Sequence, residues 1–260
     1  MDTHAPIAAL EARDLSLAWD GEHTVVAGVS LYVNPGEVVC MVGRSGTGKT
    51  TILHALAGLT TPMSGEILLH GQPMAGEPGQ VSYMFQKDLL LENKSIIDNV
   101  SLPLVIKGMS KADARAQAAP LFERFGLKGT ENLWPQELSG GMRQRAAFLR
   151  TYLMGNDVML LDEPFSALDA FTRTDMRTWF CEMASQLNIA TVAITHDVDE
   201  AVSMAHRIYV LAGNPAEGRA STVVAMIESP REKMGVTAAD FALTEEFLGC
   251  KKEVLSLLGQ

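Results

Sequence analysis

The eight residues Gly43-Arg44-Ser45-Gly46-Thr47-Gly48-Lys49-Thr50 constrain this chain more than any other feature of it. They follow the apolar run Glu37 to Val42 and open a predicted helix, Lys49 to Ala57, which Gly58 can terminate. In that setting the glycines let backbone N–H groups close around phosphate oxygens, and the start of the helix favours negative charge. Lys49 would reach the β and γ phosphates, and the Thr50 hydroxyl is placed to ligate Mg²⁺. A glycine-rich turn without a ligand shares this composition but does not require a buried strand before it and a helix after it. The loop therefore predicts an α/β fold with a parallel sheet.

Three more predicted strands end in polar residues of the kind such a ligand needs. Val158 to Leu161 runs into Asp162-Glu163, Val81 to Phe85 into Gln86, and Ile189 to Thr195 into His196. In a right-handed parallel sheet all four strand ends meet at one edge, where ligands bind. Asp162 would then hold Mg²⁺, Glu163 would orient and deprotonate an attacking water, Gln86 would bond the metal shell or that water, and His196 would contact the γ-phosphate. Each has a plainer reading in isolation, because carboxylates after strands cap helices and lone His or Gln residues satisfy loops. Asp197 with Glu200 resembles a capping box for the helix that follows.

Organisation along the chain fits this reading. The first third alternates as strands: Asp14 to Trp19, Val25 to Val33 and Gly65 to His70, with Asn34-Pro35-Gly36 as a turn. Lys87 to Gly155 is mainly helical, with helices predicted at Ile96 to Lys107, Lys111 to Phe125 and Met142 to Met154, Pro120 dividing the second. The strand and helix rhythm then resumes, and Thr237 to Leu258 reads as an amphipathic helical tail. At 260 residues and 47% hydrophobic, the chain can bury one large core carrying an inserted lobe. The longest apolar stretches, such as Val25 to Val33, stop short of the roughly 18 residues of a membrane span. The N-terminal Met1 to Pro6 lacks a secretory pattern, and three scattered cysteines fit a reducing cytoplasm. A formal net charge of -10 argues against a nucleic-acid surface.

Between the loop and the acidic pair lies Leu138-Ser139-Gly140-Gly141-Met142. With it the whole pattern resembles the ABC transporter ATPases, in the family's motif order: Walker A at Gly43 to Thr50, the Q-loop Gln86, the signature Leu138 to Gly141, Walker B at Val158 to Asp162 with Glu163, the D-loop Ser166-Ala167-Leu168-Asp169, and the switch histidine His196. The resemblance covers nearly the full chain. It implies a P-loop NTPase fold with a RecA-like parallel-sheet core and an N-terminal antiparallel β subdomain (1–86 and 156–235), an inserted helical subdomain (87–155) and a C-terminal helical tail (236–260). It also implies ATP and Mg²⁺ as ligands. The nucleotide contacts it implies are Trp19, Gly43 to Thr51, Ser139, Gly140, Gly141 and Asp169, with Trp19 stacking on adenine. Trp19 has an alternative as a core residue, since it shares a strand face with Leu15 and Leu17.

In such proteins two copies close head to tail, so that each ATP lies between the P-loop of one and Ser139 to Gly141 of the other. Without the resemblance, Leu-Ser-Gly-Gly reads equally as a loop capping a helix. The implied role is the motor of a bacterial importer, attached through two permease subunits to the cytoplasmic face of the membrane and served indirectly by a substrate-binding protein. Met142, in place of the commoner Gln, resembles the nitrate, sulfonate, taurine and pyrimidine importer ATPases, and the runs Tyr83 to Leu91 and Met142 to Leu153 look most like those for uptake of a thiamine pyrimidine precursor. Glu92-Asn93 departs from the Pro-Trp usual there and leaves the cargo open. The segment Asp88 to Ser95 is expected to face the permease. Arg173 and Arg177 read as solvated helix charges. The rival readings are a soluble ABC ATPase that clamps nucleic acid or ribosomes, which needs a long coiled coil or tandem cassettes, and a P-loop kinase, which leaves the signature unexplained.

Overall fold

The computed structural model describes residues 7–19, 23–74 and 76–259, so Met1 to Pro6, which the reading of the N-terminus concerns, fall outside it. Strands β1 (Leu10–Ala18) and β2 (Thr24–Val33) pair antiparallel, with Leu10, Ala12, Leu15 and Leu17 buried. β1 begins at Leu10 rather than Asp14, because Asp14, at φ 46°, sits in a bulge that shifts the register between Ala12 and Leu15 and breaks the alternation. Strand β3 (Val38–Val42) is buried at every position and delivers the chain into the glycine-rich loop and helix α1 (Lys49–Leu56). Gly58, at φ 73°, ends that helix by donating its N–H to Ala55 O at 3.0 Å. Strands β4 (Ser64–Leu69) and β5 (Gln72–Pro73) extend the antiparallel part, and β6 (Ser82–Met84) returns to the core.

The helical stretch that follows is more broken than its periodicity predicts. In place of one helix over Ile96 to Lys107 there are α2 (Ile96–Val100) and α3 (Leu102–Ile106). Pro103 has no N–H for the carbonyl of Asn99 and its ring collides with that turn, so the chain resets at Ser101. Pro120 separates α4 (Lys111–Ala118) from α5 (Leu121–Arg124) as expected. Helix α6 (Gly140–Tyr152) starts at Gly140 rather than Met142, because the Ser139 hydroxyl accepts from Met142 N at 3.3 Å and caps the helix there.

The remaining elements are β7 (Val158–Asp162), α7 (Ala170–Leu187), β8 (Ala190–Thr195), α8 (Val198–Met204), β9 (Arg207–Asn214), β10 (Arg219–Glu228), α9 (Arg231–Met234), α10 (Ala238–Phe241) and α11 (Glu245–Leu258). The strands form one sheet in the order β5-β4-β1-β2-β10-β9-β3-β8-β7-β6, with β9, β3, β8, β7 and β6 parallel. Its central strands divide their side chains between two cores by the period of two. Val38, Cys40 and Val42 join Met159 and Leu161 under the helical lobe, α7, α8 and the tail. Val39 and Met41 join Val158 and Leu160 against α1, β1 and β2. The tail is amphipathic as predicted, burying Phe247, Cys250 and Val254, and Lys251 Nζ meets Asp199 Oδ1 at 2.6 Å on α8.

One buried side chain fixes the loop that follows the Gln86 strand. Asn99, fully buried, accepts from Leu91 N at 2.6 Å and places its Nδ2 3.1 Å from the carbonyls of Leu91, Lys94 and Ser95. Arg150 donates to the carbonyls of Leu89 and Asp88 at 2.8 and 2.5 Å. Asn99→Ala strands the Leu91 N–H in the interior. It is expected to cost about 2–3 kcal/mol in urea unfolding while leaving nucleotide affinity unchanged. A midpoint equal to that of the wild type would contradict this account of the loop.

Candidate functional site

The four strand ends read from the sequence do meet. β3, β8, β7 and β6 are neighbours in that order, paired as Val42 with Thr195, Ile194 with Asp162, and Leu161 with Met84, so the loops leaving them share one edge. Both faces of these strands are covered, which leaves that edge as the place where polar side chains can reach solvent and ligand.

The glycine-rich loop is pressed against the sheet. A Cβ on Gly48, whose φ is 85°, would come 2.7 Å from Val25 Cγ1 and 2.9 Å from Val26 Cγ2, so glycine is required on both counts. Gly46 has φ 82° and lies exposed with Arg44 and Ser45. Thr47 is buried and donates to Arg44 O at 2.8 Å. Lys49 is also buried, and its ammonium donates back to the carbonyls of Gly43 and Arg44 at 2.8 and 3.1 Å. Burial pushes its pKa down, opposed by the charges of Glu163 and Asp162. The ammonium is thus held inside the loop with acceptors weaker than a phosphate. Thr50 and Thr51 follow on α1, Thr50 exposed.

Facing the loop, Asp162 receives the Thr50 hydroxyl on Oδ1 at 3.5 Å and the Tyr83 hydroxyl on Oδ2 at 3.1 Å. Burial raises the Asp162 pKa, the Tyr83 bond opposes it, and the Glu163 charge adds to the rise. Glu163 sits at φ 44°, a strained backbone for a residue other than glycine, and donates its N–H to Ile194 O at 3.0 Å. That turn swings its carboxylate off the strand axis. Oε2 lies 2.9 Å from His196 Nδ1 and 3.4 Å from Gln86 Nε2. Gln86 also donates to Ser166 Oγ at 3.2 Å, which in turn donates to Glu163 O at 2.9 Å. Gln144 of α6, buried, donates to Pro164 O and fixes the exit of the turn.

The oxygens of Asp162, Thr50 and Gln86 are hard donors suited to Mg²⁺. Among the described residues no group of three or more His, Cys, Asp and Glu would cage an ion.

Trp19 is 62% exposed and therefore not part of the core. With Ser45, Gly46, Lys49, Thr50 and Glu163 it lines a cleft of about 220 Å³. Ser139, Gly140, Gly141 and Asp169 do not line it. Gly141 packs against α7 so closely that a Cβ there would meet Thr172 Cγ2 at 3.0 Å. Asp169 caps α7, accepting from Phe171 N and Thr172 N at 3.1 Å and from Thr172 Oγ1 at 2.6 Å, and the Thr172 bonds hold its carboxyl below the usual range.

Two readings need correction. Arg173 is no solvated charge: it donates to Leu168 O at 2.9 Å and to Asp197 Oδ2 at 3.4 Å. Arg177, by contrast, donates to the exposed Thr174 hydroxyl at 3.1 Å and keeps the solvated reading. Asp197 and Glu200 form half a capping box. Asp197 accepts from Asp199 N at 2.8 Å and Glu200 N at 3.2 Å, but Glu200 turns inward to the Thr195 hydroxyl at 2.6 Å, whose oxygen accepts from Asp197 N at 3.0 Å. Sequence reasoning missed Tyr83 and Gln144, since each acts on a residue of another strand or turn and no spacing along the chain announces that.

Burial makes the charged form of Asp162 costly in the nucleotide-free protein. Because its folded pKa is raised, the cost is present in full above that pKa and vanishes once pH falls far enough to protonate both folded and unfolded states. Asp162→Asn is therefore expected to raise the thermal midpoint of the nucleotide-free chain at pH 7, with the advantage shrinking toward about pH 4. Thermal denaturation at the two pH values checks this, and an equal gain at both contradicts it.

The family described as ABC transporter matches residues 26–166. The formylaminopyrimidine import ATP-binding protein ThiZ of Halalkalibacterium halodurans is 38% identical over 249 residues, covering 96% of each chain. The taurine import ATP-binding protein TauB of Sinorhizobium fredii is 41% identical over 189 residues, covering 72% of this chain and 70% of its own. Among solved structures, an ATP-binding cassette in a dimeric post-hydrolysis state bound to ADP and Pi superposes with TM-score 0.69 at 26% identity, over 84% of this chain and 98% of that one. A glycine-rich loop, a carboxylate that takes the Thr50 and Tyr83 hydroxyls and a second carboxylate gripped by a histidine and a glutamine thus stand on one sheet edge, in a sequence matched by the family across that whole edge but for His196, and the chain belongs to the ABC transporter family as one of its ATP-hydrolysing cassettes.

Proposed function

We propose that this chain is the ATP-hydrolysing subunit of an importer for a small nutrient, with a pyrimidine precursor as the first choice of cargo and sulfonate, taurine or nitrate behind it. The observation that carries the hydrolytic reading is the Glu163 carboxylate, 2.9 Å from His196 and 3.4 Å from Gln86 at the mouth of the Lys49 and Thr50 loop. A carboxylate held so by an imidazole and an amide is aimed for taking a proton from water in line with a bound phosphate. Gly43 to Thr51 would cradle the phosphates, Lys49 exchanging loop carbonyls for phosphate oxygens, and Trp19 would stack on the base. Asp162, Thr50 and Gln86 would hold Mg²⁺, which when bound neutralises charge between the phosphates.

The cleft continues past Trp19, Ser45 and Gly46 toward Leu211 and Asn214, and Trp19 and Thr50 at its mouth are exposed, so a second wall would close it over a nucleotide. Ser139 to Gly141 present a capped helix start away from the cleft, which supports head-to-tail closure with a second copy whose signature supplies that wall. Asp169 then acts through the cap it gives α7, beside that interface. Two permease subunits would attach at the apolar groove of about 560 Å³ lined by Leu59, Phe85, Leu89, Leu91, Ile106 and Met154, next to the Asp88 to Ser95 segment. No helix among the described residues is long and apolar enough to cross a membrane, in keeping with attachment at the cytoplasmic face through those subunits. The cargo, delivered by a binding protein, does not touch this chain. Support for the pyrimidine class is the likeness to ThiZ along 96% of both chains.

Glu163→Gln is expected to keep ATP affinity and to lose about 10²- to 10⁴-fold in turnover, as an amide cannot accept the proton. Phosphate release near the wild-type rate would place the base elsewhere. For the shared site, Ser139→Arg should bind ATP through its intact loop yet neither dimerise with ATP nor hydrolyse it efficiently, while Lys49→Ala should lose binding. Mixed, the two variants build one composite site from two intact halves and should recover part of the activity. Mixed dimers that form and stay inactive would refute closure in trans.

A further inference from the structure

His196 is placed by a network that begins at the D-loop. The guanidinium of Arg173, on the first turn of α7, donates from Nη2 to the carbonyl of Leu168 at 2.9 Å and from Nη1 to Asp197 Oδ2 at 3.4 Å. Its Nε is buried without a hydrogen bond and points toward Glu200 Oε1, 3.9 Å away. Glu200 is itself buried and takes the Thr195 hydroxyl at 2.6 Å, and the oxygen of that hydroxyl takes Asp197 N at 3.0 Å. The residues on either side of His196 are thus both tied, directly or through Glu200, to one guanidinium. On its other side, Leu168 Cδ2 rests against the start of the signature helix, 3.3 Å from where a Cβ on Gly140 would lie.

A second acceptor, Glu200, lies just out of reach of Arg173. Nε must close roughly 1 Å to come within hydrogen-bond range of Glu200, and a guanidinium is rigid, so that movement takes Nη2 and Nη1 away from Leu168 or Asp197. The structure holds the arrangement on the D-loop, and a move onto Glu200 would make the guanidinium a two-state element.

We propose that Arg173 is a positioning residue that makes the seat of His196 on Glu163 depend on the place of the Leu168 carbonyl, so that closure of a second copy on Ser139 to Gly141 is felt at the hydrolytic carboxylate through Leu168, Arg173 and Asp197. This rests on Glu163 and His196 being the hydrolytic groups.

Two conservative changes break the link without removing its surroundings. Arg173→Lys keeps a positive charge beside Glu200 but cannot span Leu168 and Asp197 as the fork does. Asp197→Asn keeps the cap of α8, because Oδ1 still accepts from Asp199 N and Glu200 N, and turns an amide donor toward the guanidinium. The two single variants, the double variant and the wild type are compared as the full chain with Mg-ATP for kcat, KM and urea midpoint. Histidine-selective NMR follows the His196 ring, assigned by its loss in His196→Ala. Each single change is expected to lower kcat about 10- to 100-fold, the range for a misplaced catalytic group, with KM and urea midpoint nearly unchanged and the His196 resonance displaced. The double variant should fall within about twofold of the weaker single one, since both break the same link. Wild-type kcat in Asp197→Asn overturns the proposal, even where Arg173→Lys fails to fold. So do losses that multiply in the double variant, or a His196 resonance that stays in place. If Glu163→Gln keeps full turnover, the hydrolytic reading has failed instead, and the NMR displacement still decides whether Arg173 seats His196.

Discussion

The structure depends on a run of parallel strands buried on both faces. β3, β7 and β8 have no solvent-facing side, since alternate residues of each enter one of two separate cores. Polar side chains along such strands must find a partner in the interior, as Thr191 does on the carbonyl of Ile189, so charged ones are excluded. They appear where the strands end, and because neighbouring strands run in the same direction, those ends fall side by side. The site is in this sense a consequence of the core. Val42 is brought level with Thr195, and Asp162 with Ile194, by backbone hydrogen bonding, so a slip of register in any one strand would move its functional side chain off the edge.

Charge is arranged at that edge to be incomplete. Lys49 is buried against carbonyls, Asp162 is half-buried against hydroxyls, and Glu163 leans on a histidine and a glutamine. Each group is held in place by partners weaker than those a nucleotide and a divalent cation offer, so binding exchanges modest contacts for charge-assisted ones with little rearrangement. The left-handed turn at Glu163 belongs to the same design. A residue at φ 44° is strained, and it is fixed by the Ile194 carbonyl, the Ser166 hydroxyl and the Gln144 bond to Pro164. Next to His196, Arg173 ties Asp197 to the Leu168 carbonyl.

What the sequence determined was the set of strand ends. Gly43 to Thr50 could be read because only a tight, glycine-bearing turn between strand and helix leaves N–H groups free for phosphate, and that demand is local. Asp162, Glu163, Gln86 and His196 were legible as residues following apolar runs, and the direction rule for parallel sheets was enough to place them on one edge. Local sterics likewise announced the break at Pro120, although the one at Pro103 was hidden by a periodicity that continues through it. Tertiary structure decided what those residues touch. Trp19 shares the pattern of Leu15 and Leu17 yet lies exposed, because the strand ends at Ala18 and the core with it. Arg173 reads as a surface charge, and Glu200 as the partner of a cap, until α7 and α8 are folded together and the guanidinium finds Leu168 and Asp197. Tyr83 meets Asp162 through the pairing of β6 with β7, across 79 residues of chain. Such contacts are absent from sequence patterns because periodicity reports which way a side chain faces, whereas a hydrogen bond between distant segments depends on where two backbones come to rest.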